Sequence, residues 1–109
     1  MSDVPIDYIN KIRVIHTPRF MDVVEGKITL NITQEIINGK KNPIAVVIDD
    51  YFGGWITRTM SVKLGIRTSY GIYKMEKPLW QWLKKWESKE LVKPISFKLI
   101  YLHDLEENE

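Results

Sequence analysis

Glycine and proline cut this chain into short apolar runs, and that punctuation limits it to short strands and short helices. Pro18, Gly26, Gly39, Pro43, Gly53-Gly54, Gly65, Pro78 and Pro94 stand between or inside segments that otherwise keep a regular hydrophobic period. The longest apolar run, residues 44–48, is far below the ~20 residues that a membrane helix needs. With 109 residues, 44% of them hydrophobic and 28% charged, one globular domain is expected. The absence of cysteine excludes disulfides, thiolate zinc sites and cysteine nucleophiles. A cysteine-free domain fits a reducing compartment. Residues 1–7 carry two acids and no apolar run, so no export leader is expected and the chain reads as cytoplasmic.

The runs differ in period. Residues 9–16 read as a first strand. Residues 27–33 alternate, with Ile28, Leu30 and Ile32 on one face and Lys27, Thr29, Asn31 and Thr33 on the other, as a half-buried strand requires. A short helical turn near 33–38 follows, with Thr33 as N-cap and Gly39 as its stop. Residues 44–48 are apolar on both faces and read as a central strand, with 49–54 as a turn. Residues 55–64 and 66–74 form the two arms of an expected hairpin. Ile66, Tyr70 and Ile72 are expected inside, and Arg67, Ser69 and Tyr73 outside.

Pro78 suits the first turn of a helix, and Leu79, Trp82, Leu83 and Trp86 recur every three or four residues. Residues 95–102 make a last strand. The expected fold is a single α+β domain: a mainly antiparallel sheet of five to six strands, with one amphipathic helix at about 78–90 packed on one face. The domain takes in 1–102, with 1–8 as a flexible N-terminal arm and 103–109 as an acidic tail. That tail holds four of the fourteen acids, so the remainder carries sixteen Lys and Arg against ten Asp and Glu. Abundant isoleucine and lysine beside a single alanine, Ala45, fit A·T-rich coding, as in a thermophile, a virus or another mobile element.

Catalytic patterns are scarce. His16 and His103 are the only histidines, each at the end of an expected strand, and no metal-binding histidine spacing is present. Asp49 and Asp50 are the best candidates for a metal or general base, although adjacent strand residues point to opposite faces and aspartates before Gly-Gly also make turns. Glu25-Gly26-Lys27 is too short a match to a nuclease pattern to carry weight. No phosphate loop, dinucleotide fingerprint or nucleophile elbow occurs. Neither cofactor, nor metal ligand, nor catalytic residue is assigned.

The segment from 51 to 74 is the richest in binding chemistry. Tyr51, Phe52 and Trp55 surround two glycines at the mouth of the hairpin, with Arg58, Lys63, Arg67, Tyr73 and Lys74 beyond them. Aromatic rings stack on bases at about 1–3 kcal/mol each, while cations follow the phosphates. Arg58 has the parity of the apolar face, so it must reach the edge or pair within. Trp80, about 100° round its helix from Leu79, is left at the margin of the buried stripe and reads as an interface residue, most simply to a second copy. These residues predict a small homodimeric nucleic-acid-binding protein that favours single strands. The alternatives are a protein-binding regulator or inhibitor, acting through an edge strand or the Trp-rich helix, and a metal-dependent hydrolase built on Asp49 and Asp50.

Overall fold

The alternation after Gly26 produces the first strand of a computed structural model that describes residues 18–103. Helix α1 (Pro18–Val24) leads through Gly26, at φ +73°, into β1 (Thr29–Ile32). Leu30 and Ile32 face the core and Thr29 and Asn31 face solvent, as the pattern predicts. Helix α2 (Gln34–Ile37) is the expected turn, and the Thr33 hydroxyl accepts from the Ile36 N–H at its start.

Helix α3 (Pro43–Phe52) corrects the expected central strand at 44–48. The Asn42 side chain accepts from the N–H groups of Ile44 and Ala45, Pro43 occupies the first turn, and Gly53 ends the helix in the left-handed conformation. Pro43, Ile44, Val47 and Ile48 are buried, which is a helical stripe rather than two strand faces. The helix packs on β1, α2 and β2 (Thr57–Ser61), so it joins the two sheets of the molecule.

The expected hairpin is a three-stranded meander. Strand β2 pairs with β3 (Gly65–Thr68), and β3 turns back through Ser69 and Tyr70 into β4 (Gly71–Tyr73). The Thr68 hydroxyl donates to Gly71 O and accepts from the Tyr70 N–H, which fixes this second turn. Gly71 sits at φ +110°, and a Cβ there would lie 2.7 Å from the Tyr101 ring.

Helix α4 (Lys77–Glu87) is the amphipathic helix expected at 78–90, ending three residues sooner. Leu79 and Leu83 are buried at its centre, each a gain of about 1.5–3 kcal/mol over exposure. The tryptophans flank them half-buried, rather than Trp82 and Trp86 sharing the buried stripe. The Trp86 indole N–H donates to Ile37 O and that of Trp82 to Lys93 O, so the polar edge of each ring is satisfied, the first against the core and the second at the surface.

The last expected strand is two strands in two sheets. Strand β5 (Ile95–Lys98) pairs with β1, and β6 (Tyr101–His103) pairs with β4. Buried Leu99 and half-buried Ile100 carry the chain between them. The Leu99 N–H extends one ladder to Ile28 O, and Ile100 O accepts from Lys74 N–H to extend the other. The α+β class is as expected, with six strands in two antiparallel sheets of order β1-β5 and β2-β3-β4-β6. One core fills the space between, including Val23, Leu30, Ile32, Ile44, Ile48, Ile66, Tyr73, Leu83 and Leu99. Among the described residues, no helix is long and apolar enough to cross a membrane. The expected strand at 9–16 with His16, the arm at 1–8 and the tail beyond His103 lie outside the described residues.

Candidate functional site

The turn between α3 and β2 is held by Asp49. Its Oδ1 accepts from the N–H groups of Ile56, at 3.1 Å, and Thr57, at 2.8 Å. That bond pins the start of the meander to the last turn of the helix and leaves Trp55 outside, 83% exposed. Lys41, just before α3, places its Nζ 3.9 Å from the centre of the Trp55 ring, a cation–π contact. Lys41, Val46, Asp49, Asp50, Gly53, Gly54 and Trp55 line an open cavity of about 430 Å³.

The other rings proposed for stacking are drawn inward. Tyr73 is fully buried, which corrects its expected outward position. The turn at Ser69 and Tyr70 resets the parity of the strand, so Tyr73 lies opposite Ile66, on the core side. Its hydroxyl donates to Tyr70 O. Phe52 is half-buried with edge contacts to Tyr51 at 4.9 Å and Tyr70 at 5.1 Å, and a tilted contact to Tyr73 at 6.2 Å. This aromatic cluster closes the end of the core. Tyr51 is half-buried at its rim.

Among the cations the outcome differs. Arg58 occupies a β-bulge between the pairs Thr57–Thr68 and Thr59–Arg67. The extra residue takes it out of the apolar row, so it is exposed, with a guanidinium nitrogen 3.4 Å from the Ser69 hydroxyl. The parity objection to Arg58 is thereby removed. Lys63 is exposed at the tip of the β2–β3 hairpin between the exposed Val62 and Leu64. Register places exposed Lys74 beside that same end, because Tyr73 pairs with Ile66. Half-buried Arg67 lies midway, in one cross-strand row with Thr59, Ile72 and His103. From Trp55 to Lys63 the ribbon spans eight residue steps, at most about 26 Å at ~3.3 Å per strand residue. Residues 51–75 contain no acid, a gap in the carboxylates that was readable in the chain itself.

Trp80 stands half-buried against the core, with Lys84 Nζ 4.2 Å from its ring centre. Glu25 and Lys27 form an exposed ion pair at 3.0 Å, whose hydrogen bond and charge raise the Lys27 pKa above its ordinary value. Among the described residues, no group of three or more His, Asp and Glu is placed to hold a metal ion. Lys41 is the residue that sequence reasoning missed. It lies fourteen positions before Trp55, and only the folding of α3 brings the two together. No family model, curated protein or solved structure matches the chain, so the site stands on its own chemistry.

Proposed function

We propose that the chain binds nucleic acid, favouring single strands, along the β2–β4 meander. The observation that carries this reading is an exposed tryptophan at the head of a cationic ribbon that contains no carboxylate. Trp55 is the base-stacking platform, and Arg58, Lys63 and Lys74 neutralise phosphates, with Arg67 beside them. The hydroxyl of exposed Thr59 on β2 adds a contact that holds the strand without reading sequence. Tyr73 and Phe52 act indirectly, by closing the core behind the turn that displays Trp55. The site lies on a protein read as cytoplasmic.

A thymine oligonucleotide, titrated while the indole signals of the protein are followed by NMR, tests the stacking role. Binding is expected to shift the Trp55 signal most, and Trp55→Ala to weaken affinity about tenfold or more, given what a base stack contributes. Unchanged affinity in Trp55→Ala would remove the platform and the reading with it.

A second reading, a protein-binding regulator, is favoured by Val62 and Leu64 at the hairpin tip, both large, apolar and exposed. The homodimer expected of the nucleic-acid-binding protein would join at Trp80 or at this tip, and sedimentation of the wild type beside Leu64→Glu would detect a dimer through the tip as a loss of mass in the variant.

A further inference from the structure

The last turn of α3 carries two carboxylates at the end of the helix where negative partial charge gathers, an unfavourable placement. Asp49 is compensated by the two N–H groups that it receives. Asp50 is exposed, lines the Trp55 cavity and has no hydrogen-bond or ion-pair partner among the described residues. A carboxylate at the unfavourable end of a helix and an 83% exposed tryptophan both line one cavity. Local rules broken together at one place mark a site of function.

The acid beside the stack also needs a reason, because a carboxylate repels the phosphates of a bound strand. Base edges supply one. An ionised carboxylate only accepts hydrogen bonds. Guanine is the one common base whose Watson–Crick edge presents two adjacent donors, the N1–H and the 2-amino group. Adenine, cytosine and thymine each turn at least one acceptor lone pair toward the same place. Unpaired bases are read on this edge while stacked on an aromatic ring. The cavity of about 430 Å³ has room for a base, and Lys41, whose Nζ lies over the Trp55 ring, supplies a cation that turns to the attached phosphate as the base takes its place on the ring.

We infer that the Trp55 cavity is a guanine site, in which the base lies on Trp55 and Asp50 accepts both edge donors. This inference rests on the proposed nucleic-acid reading and names the base that the stacking platform takes. Three nucleotides probe it directly, 5′-GMP, 5′-IMP and 5′-AMP, with the Trp55 indole N–H followed by NMR and assigned with Trp55→Phe. GMP is expected to saturate the signal at a concentration about tenfold or more below AMP, in keeping with one good bidentate base contact. IMP, which keeps N1–H and lacks the 2-amino group, falls between them. Asp50→Asn, an exposed change that keeps the helix, brings the three together.

Equal binding of GMP and AMP, no response to any of the three, or a guanine preference that persists in Asp50→Asn overturns the inference. A pair of eleven-residue oligonucleotides, thymine throughout with either guanine or adenine at the centre, separates it from the broader reading. If both bind equally at low salt, the guanine site fails and single-strand binding stands. If neither binds while GMP keeps its preference, single-strand binding fails and the guanine site stands.

Discussion

Asp49 shows how one side chain can look catalytic in sequence and prove architectural in space. Its Oδ1 accepts from two backbone N–H groups at the start of the meander, that of Thr57 and that of Ile56, which it shares with Gly54 O. Asp49→Ala is expected to cost about 1–3 kcal/mol, because it takes the side-chain acceptor from the Thr57 N–H and leaves the Ile56 N–H only Gly54 O. Asp49→Asn, which keeps an acceptor oxygen, retains most of that stability, and urea unfolding of the two variants measures the difference. Thr57 is the opposite case, since its buried hydroxyl has no partner among the described residues. Thr57→Val is therefore expected to leave the melting temperature unchanged or raise it. A fall of several degrees would show that the hydroxyl holds a bond. At this scale sequence reading placed Trp55 and Lys63 outside and misplaced Tyr73. Arg58 was ambiguous because parity counting assumes an unbroken ladder, and one bulge residue defeats it.

Helix α3 is the element whose signals conflicted. Isoleucine and valine favour strands locally, and a five-residue apolar run has no period of its own. The deciding signals lay at the ends: Asn42 and Pro43 as a start, Gly53 as a stop, ten residues apart. Asn42→Ala removes the acceptor for Ile44 and Ala45 N–H and is expected to destabilise by about 1 kcal/mol, read as a lower denaturant midpoint. A strand at this position would have had no cap to lose. The meander depends on glycine in a different way. Gly71→Ala forces a methyl against the Tyr101 ring in a positive-φ conformation and is expected to cost more than ~1 kcal/mol. Gly26→Ala, also at positive φ but with nothing within 4 Å, carries the backbone strain alone and costs less. The amphipathic helix and β1 were legible because each is long enough, or regular enough, to show its period. The break at Leu99 and Ile100 was not, since a strand that changes sheets keeps one continuous apolar pattern.

For the whole molecule, the division into two small sheets separates a ladder with a polar outer row from the sheet that carries the cationic ribbon. The β1-β5 ladder turns Leu30, Ile32, Ile95 and Phe97 inward and shows a polar row that includes Asn31 and Ser96. The larger sheet carries the ribbon of Arg58, Lys63, Arg67 and Lys74. That separation was only half legible, since the acid-free stretch is plain in the chain while the sheet boundary is not. It leads to a sharp expectation about salt. Each phosphate neutralised on a single strand contributes about −0.7 to the slope of log affinity against log salt. The most direct measurement is that slope for a thymine oligonucleotide with the wild type and with the triple variant Arg58→Ala, Lys63→Ala, Lys74→Ala. The wild type is expected to bind at low salt and weaken as salt rises, with the triple variant shallower by about 2. Equal slopes and affinities for the two proteins, or no binding by the wild type at low salt, would contradict the ribbon as a phosphate-binding surface.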